Sequence, residues 1–151
     1  MGNLKTVDEI LDFAIGKEEE AAQFYADLAG RVEKEWMRKI FEQFSHEEQG
    51  HKAKLLGIKK GKTLAPAAGK VLDLKIADYL IDAEPNPEME YQDALIVAMK
   101  AEKAAFRLYS DLAASTDDKT LQQAFQALAQ EEAKHKLRFE IEYDDAILKW
   151  Q

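Results

Sequence analysis

The stretch Phe41–Leu55, FEQFSHEEQGHKAKL, decides how this chain folds. Around it Met37, Phe41, Phe44, Leu55 and Ile58 recur at alternating intervals of four and three, the pattern of a helix that buries one face. The two steps between Phe44 and Leu55 fall on Glu48 and His51. A carboxylate and an imidazole one turn apart therefore project from the buried side, where a helix ordinarily places leucine. An unpartnered carboxylate in such a place costs several kcal/mol or takes up a proton. A cation removes that penalty, and the spacing Glu-x-x-His lets one helix give two ligands to one metal.

The same arrangement recurs near the other end of the chain. In FQALAQEEAKHKLRF, residues 125–139, Glu132 and His135 lie on a seam of Leu121, Phe125, Leu128 and Phe139. The two histidines and the two glutamates are each 84 residues apart (135 less 51), and the same shift carries Glu47 onto Glu131 and Lys52 onto Lys136. It also lays AIGKEEEAAQFYADLA (14–29) on AMKAEKAAFRLYSDLA (98–113) without a gap. Glu18 then matches Glu102, Tyr25 matches Tyr109 and Asp27 matches Asp111. The chain reads as an internal duplication of a helical hairpin, and every candidate ligand is among the residues kept.

With 151 residues the chain has room for a sizeable core and reads as one domain, 1–151. Charged residues make up 33%, against three prolines and seven glycines, a composition of long helices rather than sheet. The net charge of −8, with both signs interspersed, argues against nucleic acid and anionic membrane as partners. There is no cysteine, which excludes disulfides, iron–sulfur clusters and thiol catalysis within these residues and fits a reducing compartment. No apolar run approaches signal-peptide or membrane-spanning length, and the myristoylation-like pattern from Gly2 to Thr6 has no second membrane feature beside it. A cytoplasmic location is expected.

Thr6 and Glu9 form a capping box that starts the first helix near Val7. Its seam is Val7, Leu11, Ala14, Glu18, Ala21, Tyr25 and Leu28, whereas Glu19 and Glu20 rotate away from it. Gly30 and the polar residues to about Lys34 make a short connection, so the first two helices are antiparallel neighbours. The second helix runs to about Lys60, with His46 on its outer face. Residues from about 61 to 87 are too long for a turn; they read as a crossover with a short helix in the amphipathic run VLDLKIADYLIDAE, which makes helices two and three parallel. Asn86 as N-cap and Pro87 at the first helical position open the third helix, whose seam is Tyr91, Leu95, Ala98, Glu102, Ala105, Tyr109 and Leu112. A second polar connection, Ser115 to Asp118, leads into the fourth. Trp150 is placed either over the core or in a dimer contact. The fold class that follows is an all-α, antiparallel four-helix bundle with a long crossover between helices two and three.

Two helices offering one Glu and two offering Glu-x-x-His make the donor set of a dinuclear carboxylate bundle: Glu18, Glu48, His51, Glu102, Glu132 and His135. Each lies midway along its helix, and four carboxylates offset two divalent ions. Glu48 and Glu132 are the expected bridges. Tyr25 and Tyr109, two turns beyond Glu18 and Glu102, are placed to hydrogen-bond a ligating carboxylate and hold its orientation. Asp27 and Asp111 sit about half a turn from that face and read as structural.

These residues, in phrases such as FSHEEQGHKAKL and LAQEEAKHKLRF, resemble the rubrerythrin branch of the ferritin-like superfamily from about Val7 to Tyr143. The resemblance implies a dinuclear non-haem site of two iron ions, with manganese as the alternative metal, that reacts with hydrogen peroxide or dioxygen. Typical rubrerythrins carry a cysteine-bearing rubredoxin domain; its absence here implies a stand-alone form fed by a separate electron donor such as a rubredoxin. They also carry an extra Glu one turn after the third-helix ligand, where this chain has Ala105. The reduced donor set is similar to the ferroxidase centre of bacterioferritins, but Gln49 stands where those place a haem-ligating Met, so no haem is expected. The expected activity is that of a di-iron oxidoreductase acting as a homodimer. The competing readings are a ferroxidase or iron-storage protein, disfavoured by the lack of a fifth helix, and a redox-silent metal-binding bundle.

Overall fold

A computed structural model describes residues 3–4, 7–61, 74–75 and 89–146. Among them are four helices: α1 (Val7–Ala29), α2 (Glu35–Gly61), α3 (Tyr91–Ala114) and α4 (Lys119–Ala146). The four buried stripes are those the periodicity marks. Leu11, Ala14, Tyr25 and Leu28 are buried on α1, and Met37, Phe41, Phe44 and Leu55 on α2. Leu95, Ala98, Tyr109 and Leu112 are buried on α3, and Leu121, Phe125, Leu128 and Phe139 on α4.

The core divides into two apolar plugs. One joins Ile10, Leu11 and Ala14 to Leu55, Leu108, Leu112, Phe125 and Leu128; the other joins Phe24, Tyr25 and Leu28 to Met37, Phe41, Leu95, Ala98 and Phe139. The first plug collects the start of α1, the end of α2, the end of α3 and the start of α4. Within each hairpin the helices are therefore antiparallel, while α2 and α3 both run from the second plug towards the first and are parallel. On every helix the level between the plugs carries the acidic residue of the seam.

The hairpins are tied locally. Ser45, buried in mid-α2, donates its hydroxyl to the Ala22 carbonyl of α1 at 2.7 Å, so its polar group costs little inside the hairpin. Asp118 caps α4, its Oδ1 accepting from the backbone N–H of Thr120 at 2.9 Å and Leu121 at 3.1 Å.

Two expectations need correction. α3 starts at Tyr91, not Pro87: Glu90 is extended, with φ −61° and ψ 149°, and the Met89 carbonyl accepts a hydrogen bond from Arg31 of the α1–α2 connection instead of entering a helical ladder. Within the run read as amphipathic helix, Leu74–Lys75 is a short strand, β2, paired antiparallel with β1 (Asn3–Leu4). The remainder of that crossover, the Thr6 cap, Asn86, Pro87 and Trp150 lie outside the described residues. No described helix is long and apolar enough to cross a membrane.

Candidate metal centre

All six seam donors meet at the level between the two plugs. Glu18, Glu48, Glu102, Glu132 and His135 are at most 2% exposed, and His51 is 9% exposed. The imidazoles enter from α2 and α4 with Nδ1 inward. His51 Nδ1 lies 2.8 Å from Glu132 Oε1, 3.2 Å from Glu48 Oε1 and 3.4 Å from Glu18 Oε2. His135 Nδ1 lies 3.4 Å from Glu48 Oε1 and 3.6 Å from Glu102 Oε1.

The donors fall into two overlapping groups. Glu18, Glu48, His51 and Glu132 form one, and Glu48, Glu102, Glu132 and His135 the other, with one ligand atom from each residue within 4.8 Å of the rest. Glu48 and Glu132, one from each Glu-x-x-His helix, belong to both. That is the arrangement of two neighbouring cation positions with two carboxylates between them.

The buried side-chain atoms without a hydrogen bond, among the described residues, test the fit. They are Glu18 Oε2, Glu48 Oε1, His51 Nδ1, Glu102 Oε2, Glu132 Oε1 and His135 Nδ1, one from each donor. His51 Nδ1 and Glu132 Oε1 are close enough for an ion pair yet not aligned as a hydrogen bond. A protein rarely leaves such atoms unsatisfied, and converging lone pairs are what a divalent cation needs. Carboxylates with two imidazoles suit iron or manganese, and four negative charges match two divalent ions. The residues fit a dinuclear centre.

The phenols cross over between repeats. Tyr25 of α1 donates its hydroxyl to Glu102 Oε1 of α3, and Tyr109 of α3 donates to Glu18 Oε1 of α1. Each carboxylate is thereby held at one oxygen with the other turned to the cluster. Burial, and then the negative carboxylates around them, push both phenols well above their ordinary pKa, so they remain donors.

Crowding sets the remaining protonation. Burial pushes Glu18 up to about 8 against the pull of His51, and burial with the charges of Glu102 and Glu48 pushes Glu132 well above the carboxylate range. Burial acts the same way on Glu48, but contacts with His135 and His51 outweigh it and hold it below the ordinary range. Burial disfavours the imidazolium of both histidines, yet their carboxylate partners, Glu18 and Glu48 for His51 and Glu102 and Glu48 for His135, raise them to about 9 and about 11.

Two residues at the site escaped the sequence reading. Glu47, on the edge of α2, places Oε2 2.5 Å from His135 Nε2. The repeat pairs it with Glu131, which ends within 4.8 Å of Glu47 and His135, but both lie beside the seam glutamates and turned from the core, which gave no sign of that contact. Asp27 takes no part in the cluster; it is half-buried and accepts from Gln23 at 3.0 Å. Asp111 is likewise half-buried, and His46 is exposed.

Known proteins give the geometry a context. A hypothetical protein from Pyrococcus furiosus is 25% identical, with a TM-score of 0.77 over 97% of this chain and 92% of its own. A protein from Thermotoga maritima, described as a candidate ferritin-like diiron-carboxylate protein, shares the fold with a TM-score of 0.79 at 20% identity, over 97% of this chain and 99% of its own. No curated protein matches. The family model of rubrerythrin matches residues 9–143, a span that holds all six donors and both phenols. On that match the chain belongs to the rubrerythrin family.

Proposed function

We propose that the protein is a di-iron oxidoreductase that reduces hydrogen peroxide or dioxygen with electrons from a separate donor. The observation that carries this reading is the pair of four-residue groups sharing Glu48 and Glu132, with six buried lone-pair atoms converging between them. Glu18 and His51 would hold one ion, Glu102 and His135 the other, and Glu48 and Glu132 both. When bound there, two ferrous ions would supply the two electrons that, with two protons, take hydrogen peroxide to two molecules of water. The chain supplies the setting for that exchange. Tyr25 and Tyr109 fix Glu102 and Glu18, the two apolar plugs close the level above and below, and His51, the most exposed of the six donors, marks the more open side. The 151 residues contain no cysteine to bind a rubredoxin-type iron, so the returning electrons are assigned to a centre outside them.

Ala105 sets the oxidant preference. It is half-buried and packs on the first plug, one turn from Glu102, and offers no oxygen to a metal. Ligand exchange of the rubrerythrin kind is then not expected, and preference for peroxide over dioxygen should be weaker. Stopped-flow oxidation of the diferrous protein by each oxidant tests this: comparable rates are expected, and Ala105→Glu should raise the peroxide rate selectively. A wild-type peroxide rate several orders of magnitude above the dioxygen rate would overturn the assignment to Ala105. A bound diferrous centre that reacts with neither oxidant would overturn the enzymatic reading.

A further inference from the structure

The duplication is symmetric in its donors but not in what holds them. His135 has its outward nitrogen, Nε2, 2.5 Å from Glu47 Oε2, and its imidazole is stacked on the Phe44 ring at 4.1 Å between centroids and 28° between planes. The contacts of His51 with carboxylates all run through Nδ1, and among the described residues none holds its outward nitrogen. Its side chain is 11% exposed, against 3% for His135.

Sequence differences at matching positions account for this. Glu131, the counterpart of Glu47, ends within 4.8 Å of Glu47 and His135 but is 42% exposed and lies 3.6 Å from Lys134; the counterpart of Lys134 is Gly50, so no cation at that position draws Glu47 outward. Gln43 instead holds the other oxygen of Glu47, donating Nε2 to Oε1 at 3.2 Å, and its counterpart is Ala127. Phe44 corresponds to Leu128, which has no ring to stack. Three replacements thus favour the same histidine.

We infer that Glu47 is a positioning residue which, with Phe44, pre-organises His135, so that the subsite of Glu48, Glu102, Glu132 and His135 binds a divalent cation ahead of the subsite of Glu18, Glu48, His51 and Glu132. A carboxylate accepting the outward ring N–H fixes the tautomer with its lone pair on Nδ1, facing the cluster, and raises its donor strength. A ring already held loses less freedom when the ion arrives. His51 has to be ordered at that moment, and its ion is the later and more exchangeable one. The inference rests on the dinuclear reading above and adds an order of filling to it.

Cobalt(II) is the probe, titrated without oxygen into the chelator-stripped full chain, with its visible bands and competition against a chelator of known affinity as readouts. Wild type should take two equivalents in two resolved steps. Glu47→Ala should weaken the first step by about 10–100-fold and leave the second unchanged. Glu47→Gln, which keeps an acceptor, should recover part of the loss, and Glu42→Ala, which removes an exposed charge from the same helix, should shift neither step. In proton spectra of the cobalt form, one slowly exchanging ring N–H should be present in wild type and lost in Glu47→Ala, a signature that a general loss of packing would not single out. An unchanged first step in Glu47→Ala overturns the inference alone, as does an equal loss in Glu42→Ala, which would assign the effect to surface charge. Wild type that takes up no cobalt overturns the dinuclear reading and this inference with it.

Discussion

Tyr25 and Tyr109 each steady a carboxylate from the opposite repeat, so neither hairpin can shape its half of the site by itself. Replacing Tyr25 by Phe keeps the packed ring and removes the anchor of Glu102. Metal affinity should fall by about 10–100-fold, read from competition with a chelator, and Tyr109→Phe should match it through Glu18. Glu48 and Glu132 belong to both groups, so Ala at either should cost at least one ion by metal analysis, whereas full occupancy in both variants would place the site elsewhere. The six donors were legible in the sequence because each interrupts an apolar seam and each has a partner in the repeat. The exchange of phenols was not, since periodicity orients a side chain on its own helix and says nothing of its reach across the bundle. Glu47 was hidden for the same reason.

Helix boundaries follow local chemistry where nothing distant competes. Asp118, with two backbone N–H groups on one oxygen, starts α4 where its sequence suggests. Asp118→Ala should destabilise the protein by about 1 kcal/mol, measured by urea unfolding with an unchanged dependence on denaturant. The start of α3 shows the opposite case. Asn86-Pro87 is a sound local signal, but the Met89 carbonyl is taken by Arg31, some 58 residues earlier, and the helix waits until Tyr91. The pairing of Asn3–Leu4 with Leu74–Lys75 was likewise illegible, because two residues carry no alternation and their partners are far away in sequence. The parallel relation of α2 and α3, by contrast, could be read from the length of the segment between them.

At the scale of the whole molecule, a metal-binding level between two apolar plugs costs stability when no metal is present. Glu18, ordinarily near 4.5, keeps its proton up to about 8, so folding takes up a proton across that window and is favoured as pH falls through it. His51, ordinarily near 6.5, stays protonated to about 9; its contribution is complete below 6.5 and is lost as pH rises through 9. Both signs agree, and melting of chelated protein should rise as pH falls from about 9 to about 5. Glu48, held below its ordinary 4.5, contributes the opposite sign under that value and should reverse the trend there. The metal-loaded protein should lose stability on acidification, since protons compete for the ligands. Removing a buried carboxylate together with its phenol should stabilise the metal-free bundle: Glu18→Leu with Tyr109→Phe leaves no orphaned hydroxyl and should gain roughly 1–4 kcal/mol, whereas Glu18→Leu alone leaves the Tyr109 hydroxyl buried without an acceptor. The most direct test of the shared-carboxylate centre is anomalous scattering at the iron edge from crystals of the iron-loaded protein. Two peaks are expected, one among Glu18, Glu48, His51 and Glu132 and one among Glu48, Glu102, Glu132 and His135, with Glu48 and Glu132 lying between them. A single peak, or peaks outside this level of the bundle, would contradict it.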